Sequence, residues 1–126
     1  MGSPRLLVVV DDEIARGLLV TVLRAHGHTV DAAGDRAEAL RLIDRHAYTL
    51  VVSALRMPAL EGPELVRVLE ERRPLERPAL IFVARSAFAP DLAHFVMESA
   101  APLLAWPATP ADITRIVARS LALVPA

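Results

Sequence analysis

The chain has 126 residues, 54% of them hydrophobic and 23% charged, with a formal net charge of −1. That balance excludes disorder, which needs low hydrophobicity and high net charge, and the length suits a single domain over residues 1–126. So small a charge gives no basic field to hold a nucleic-acid backbone, and the absence of Cys removes disulfides, thiol chemistry and thiolate metal sites.

All 14 basic residues are Arg, with no Lys anywhere, and Asn and Gln are also absent. Schiff-base chemistry and a phosphate-binding P-loop lysine are therefore excluded. The longest apolar stretches, such as Leu6 to Val10 and Ala100 to Ala108, fall far short of the ~18–20 residues that a membrane span requires. The N-terminus does not read as a signal peptide. The expectation is a cytoplasmic protein with no membrane partner.

Leu6 to Val10 is a short apolar run with three β-branched valines that predicts a strand buried on both faces. Ile14 to His26 predicts a helix, with Ile14, Leu18 and Val22 at helical spacing beside Leu19 and Leu23, and Gly27 closes it. His28 to Ala33 is a second strand. Asp35 is a helix N-cap, with Glu38 completing a capping box, and Ala37, Leu40, Ile43 and Ala47 carry the apolar side of that helix. Tyr48 to Ala54 is the third strand, and Arg56 to Gly62 a loop. Pro63 opens a helix whose apolar face is Leu65, Val66 and Leu69, bounded at its exit by Pro74 and Pro78. Leu80 to Val83 is the fourth strand, Asp91 to Ser99 a short helix, and Leu103 to Ala105 the fifth strand. Thr109 caps the last helix, with Pro110 at its first position and Ile113, Ile116, Val117 and Leu121 in its stripe.

Five strands alternating strictly with helices imply a parallel sheet covered on both faces. Chemistry then belongs to the loops at the carboxyl ends of the strands. The first such loop reads Asp11-Asp12-Glu13. One reading is a Mg2+ site, which favours carboxylate and water oxygens. The plainer reading is N-capping of the following helix. No Gly-rich phosphate loop is present. His26-Gly27-His28 reads as a helix boundary rather than a metal site. His46 and His94 read as surface residues, and Glu70-Glu71-Arg72-Arg73 as a solvated helix face.

Val10-Asp11-Asp12-Glu13 after the first strand, Leu55-Arg56-Met57-Pro58 after the third with Gly62 beyond it, and Pro107 after the fifth together resemble the receiver domain of two-component response regulators. The resemblance covers essentially the whole chain. It implies a flavodoxin-like (βα)5 three-layer sandwich with strand order 2-1-3-4-5. It also implies that Asp11 and Asp12 belong to a Mg2+ site. The family's phospho-acceptor Asp falls on Ala54, its phosphate-sensing Thr or Ser on Val83, its Lys on Trp106, and its switch aromatic on Leu103.

Each of these departures removes a group suited to a phosphoryl dianion. The expectation is a receiver that is not phosphorylated and is not an enzyme. It would act as a constitutive protein-binding module, with no cofactor beyond weak Mg2+ at a vestigial Asp11–Asp12 pair. Without a cation those two carboxylates would repel, favouring their neutral forms. Leu103, Trp106, Pro107 and Phe95 are the candidate interaction residues, for a signalling partner or for a homodimer through the fourth helix, fifth strand and fifth helix. Trp106 reads equally as a filler of the space that Lys and Asp would take. Phe88, Phe95, Val96 and Met97 crowd the same region and suggest an apolar patch. Two alternatives stand beside this reading. One is a phosphorylatable receiver using Ser53 or Asp12, although Ser53 should face away from the acidic pair. The other is a small metal-dependent hydrolase of flavodoxin-like fold using Asp11 and Asp12.

Overall fold

The computed structural model describes residues 4–85 and 90–124. In chain order the elements are β1 (Arg5–Val9), α1 (Glu13–Ala25), β2 (Thr29–Ala33), α2 (Arg36–Arg45), β3 (Leu50–Ala54), α3 (Gly62–Arg72), β4 (Ala79–Arg85), a single 3₁₀ turn (Pro90–Leu92), α4 (Ala93–Ser99), β5 (Leu103–Trp106) and α5 (Pro110–Ala122). The strands form one sheet in the order β2-β1-β3-β4-β5, and every pairing is parallel. This is the flavodoxin-like arrangement that the resemblance implies. No helix among the described residues is long and apolar enough to cross a membrane.

Apolar runs with no alternation form the sheet's centre, because both of its faces are covered. Leu6, Leu7, Val8 and Val9 of β1 and Leu50 and Val51 of β3 are fully buried. α1 packs beside α5, and α2 beside α3. The helix starts follow their caps. Asp12 Oδ1 accepts from the backbone N–H of Ile14 (2.9 Å) and Ala15 (3.3 Å) at the head of α1. Thr109 and Asp112 form a reciprocal capping box on α5, each accepting the other's N–H at 3.1 Å. Gly27, at φ +87°, ends α1 in the left-handed conformation that favours glycine.

Several sequence expectations are corrected. The buried stripe of α1 is Ala15, Leu19, Val22 and Leu23, while Ile14 is 83% exposed. In α2 the buried residues are Ala39 and Ile43, while Ala37 and Ala47 face solvent. Helical period was right in both cases; the phase was set by which side meets the sheet. The α2 capping box is offset: Asp35 accepts from the Glu38 N–H (2.8 Å), but the Glu38 carboxylate accepts from Gly34 rather than Asp35. The expected helix over Asp91 to Ser99 is split into the 3₁₀ turn and the seven-residue α4. Arg73 is no solvated bystander. Its Nε donates to Ile43 O (2.8 Å) and its Nη2 to Asp44 O (3.0 Å), tying the end of α3 to the end of α2.

Candidate functional site at the carboxyl ends of the strands

The carboxyl ends of β1, β3, β4 and β5 surround a cleft of about 640 Å³. Its walls include Val10, Asp11, Asp12, Ala54, Arg56, Val83, Arg85, Leu92 and Trp106. The topology gathers these residues. β1 and β3 are adjacent, and β3 pairs with β4 so that Ala54 lies opposite Val83. β4 pairs with β5 so that Arg85 lies opposite Trp106. A connection leaving the sheet at this edge therefore reaches the same cleft from each strand.

Strand alternation sorts β3. Ala54 lines the cleft, while its neighbour Ser53 is fully buried, with its hydroxyl donating to Ala54 O at 3.0 Å. The floor is apolar, formed by the methyl of Ala54, the isopropyl group of Val83 and the half-buried indole of Trp106. Trp106 thus occupies the cleft itself, and its bond to Pro107 is cis. Pro107 is exposed and Leu103 half-buried. Phe95 is half-buried and packs edge-on to Phe82, with ring centroids 5.5 Å apart, so it belongs to the wall of the core as much as to a surface. Phe88 lies outside the described residues.

The rim of the cleft is charged. Asp11 is exposed. Asp12 is doubly engaged: Oδ1 caps α1, and Oδ2 pairs with the guanidinium of Arg85. The N–H of Ala15 is the largest influence on Asp12, which is held below the usual carboxylate range. The Ile14 N–H and Arg85 add to it, against the cost of desolvation. The expected drift towards a neutral form is therefore overturned for Asp12, because helix dipoles and a guanidinium meet its charge. Across the cleft, Arg56 pairs with Glu61 and, at 2.6 Å, with Asp91, joining the β3–α3 loop to the 3₁₀ turn. Arg16 Nη1 donates to Val10 O (2.8 Å) and Asp11 O (3.3 Å) from behind the acidic loop.

Sequence reasoning missed Arg85 and Arg16. A signal for Arg85 existed: it stands two residues after Val83 and so shares its face of β4. A divalent metal would find a poor donor set here. The cleft offers the carboxylates of Asp11 and Asp12 but a methyl at Ala54, and both oxygens of Asp12 already accept hydrogen bonds. Among the described residues, no three His, Asp or Glu side chains gather into a metal-holding group, His26 and His28 included. These residues do not fit a Mg2+ site of ordinary strength.

The sheet order, the acidic loop and the four strand ends converging on one cleft define a receiver-type α/β domain. A family profile described as "Response regulator receiver domain" matches residues 6–118, and the chain belongs to that family, whose members act in two-component signalling. It is 40% identical to Protein PetR of Rhodobacter capsulatus over 84 residues, which are 67% of this chain and 35% of PetR. It is 38% identical to the two-component response regulator PhoP of Pseudomonas aeruginosa over 81 residues, 64% of this chain and 36% of PhoP. The chain thus spans about a third of the length of these relatives. In fold it is similar to the chemotaxis protein CheY4 of Vibrio cholerae, with TM-score 0.82 and 20% identity over 94% of this chain and 99% of that one. It is likewise similar to the receiver domain of the sensor histidine kinase PA1611 of Pseudomonas aeruginosa, with TM-score 0.80 and 23% identity over 96% and 99% of the two chains. The PA1611 structure holds a magnesium ion in its active-site cleft.

Proposed function

We propose that this receiver domain accepts no phosphoryl group and serves as a constitutive protein–protein interaction module in bacterial two-component signalling. The observation that carries the reading is the methyl group of Ala54 on the floor of the cleft. An acyl phosphate needs a carboxylate oxygen as nucleophile, and alanine has none. Val83 brings no hydroxyl to the end of β4, and Trp106 no ammonium before Pro107. A phosphoryl group adds close to two negative charges, and these positions supply nothing to bind or neutralise them. Asp11 and Asp12 remain as a vestigial acidic pair with weak affinity for Mg2+ at most.

Neither alternative acceptor is favoured. The Ser53 hydroxyl is sealed in the core, and the Asp12 carboxylate is committed to α1 and Arg85. No nucleophile–base pair lines the cleft among the described residues, so a metal-dependent hydrolase gains no support. In this reading residues 1–126 act as one cytoplasmic, non-catalytic domain. Its partner is a signalling protein or a second copy, met through α4, β5 and α5 at Leu103, Trp106, Pro107 and Phe95. The exposure of Met97 (83%) on α4 and of Leu123 (80%) after α5 supports that face.

The test is intact-mass spectrometry after incubation with acetyl phosphate and Mg2+. An unchanged mass is the expected result. A stable gain of one phosphoryl group overturns the reading, and peptide mapping would then assign it to Ser53 or Asp12.

A further inference from the structure

Two guanidinium groups of the chain reach the oxygens of the β1–α1 loop. Arg85 lies at the last position of β4, 73 residues along the chain from Asp12, yet the two side chains are ion-paired across the mouth of the cleft. Arg16 reaches back from α1 to the carbonyl oxygens of Val10 and Asp11. Gly34 leaves open space beside that guanidinium: a β-carbon there would lie 2.8 Å from Arg16 Nη1, so the arginine tip would have to shift. Carboxylate and carbonyl oxygens are the ligands a hard divalent cation seeks. Here the Asp12 carboxylate and the carbonyl oxygens of Val10 and Asp11 face guanidinium groups that belong to the chain.

We propose that Arg85, seconded by Arg16, is the built-in counter-cation of the cleft: its guanidinium holds the Asp12 carboxylate against capture by a divalent metal and makes the domain indifferent to Mg2+. The inference deepens the reading of a receiver without phosphotransfer and rests on it, since a metal-independent charge balance is useful only where no metal-assisted transfer takes place. An arginine suits this role better than a lysine would. Its charge is permanent, and one Nη suffices for Oδ2 while Oδ1 stays on the head of α1. The Arg85 side chain is 70% exposed and that of Asp12 34%, so the effect is a competition measurable as a shift in affinity rather than a clamp on the fold.

The test uses the full chain and MgCl2, read by the fluorescence of Trp106, the only tryptophan and a residue of the cleft. Wild type, Arg85→Gln, Ala54→Asp and the A54D/R85Q double variant are titrated through the millimolar range, with folding checked by circular dichroism. Wild type should show no saturable change, and A54D/R85Q should bind Mg2+ about two- to fivefold tighter than A54D. Equal affinity of A54D and A54D/R85Q overturns the proposal. Should the Ala54 variants fail to fold, Mn2+ broadening of the Asp11 to Glu13 amide resonances compares wild type with R85Q alone. Broadening at lower Mn2+ in R85Q supports the proposal, and identical profiles overturn it. The two readings fail separately. A phosphoryl adduct on wild type sinks the reading of Ala54, whereas tight Mg2+ binding by wild type without an adduct sinks that of Arg85.

Discussion

The hydroxyl of Tyr48 donates to Asp31 Oδ2 at 2.7 Å, and the same oxygen accepts from Arg5 Nη1 at 2.7 Å. One carboxylate on β2 thereby joins the first residue of β1 to the approach to β3. Burial alone would push the Asp31 pKa up, but the bonds from Tyr48 and Arg5 outweigh it and hold the group below the usual carboxylate range. Tyr48 is displaced the other way, by its burial first and then by the bond to Asp31.

A pH dependence follows from the lowered Asp31. Its stabilising contribution is fully present above the unfolded value of about 3.9 and is lost as pH falls through the lower folded value. Denaturant unfolding measured across that acid window should therefore show a steep decline in wild type and a shallower one in Asp31→Asn. At neutral pH the variant should cost about 1–3 kcal/mol, since Tyr48 and Arg5 lose their acceptor charge. An identical acid limb in both proteins would refute the assignment.

Gly62 should not tolerate alanine. A β-carbon there would lie 2.8 Å from the Phe95 ring, 3.1 Å from Leu55 Cδ1 and 3.2 Å from the Phe82 ring. The bare glycine is what lets the head of α3 approach the edge-on pair of Phe82 and Phe95. Gly62→Ala is expected to destabilise by about 1–3 kcal/mol through overpacking, read as a lower denaturant midpoint with an unchanged slope.

The opposite outcome is expected at Ala100. It closes α4 at φ 56°, in the left-handed region where a β-carbon is disfavoured. Ala100→Gly relieves that conformation but gives the unfolded chain more freedom, so a net gain of about 0.5–1 kcal/mol is expected. Thermal unfolding checks it, and a lower melting temperature would contradict it.

Ala54→Asp alone should not restore a switch. A carboxylate would return to the floor of the cleft, while Val83 still lacks a hydroxyl and Trp106 still lacks a charge. After acetyl phosphate treatment, amide chemical shifts along β4 and β5 should stay unchanged in A54D and move only when Val83→Thr and Trp106→Lys are added. Full shifts in the single variant would show that neither position matters.

Much of the architecture was legible because both structural signals are local. The unbroken apolar run Leu6 to Val10 announced a strand covered on both faces, and Thr109-Pro110 announced the start of α5. The phase of α1 was not legible. Ile14 and Ala15 both fit a helical stripe, and only the docked sheet selects Ala15. The cleft was half legible. The sequence located Ala54, Val83 and Trp106 by motif, but the Arg85–Asp12 and Arg56–Asp91 pairs join residues 73 and 35 positions apart. No periodicity reports such contacts, because strand order alone brings them together.

Tyr48 stands before β3 at one rim of the sheet, and Trp106 ends β5 at the other. Each is the only residue of its kind in the chain. The molecule therefore carries a separate intrinsic optical reporter at each pole, so loosening that starts at one end can be told apart from collapse of the whole without attaching any dye.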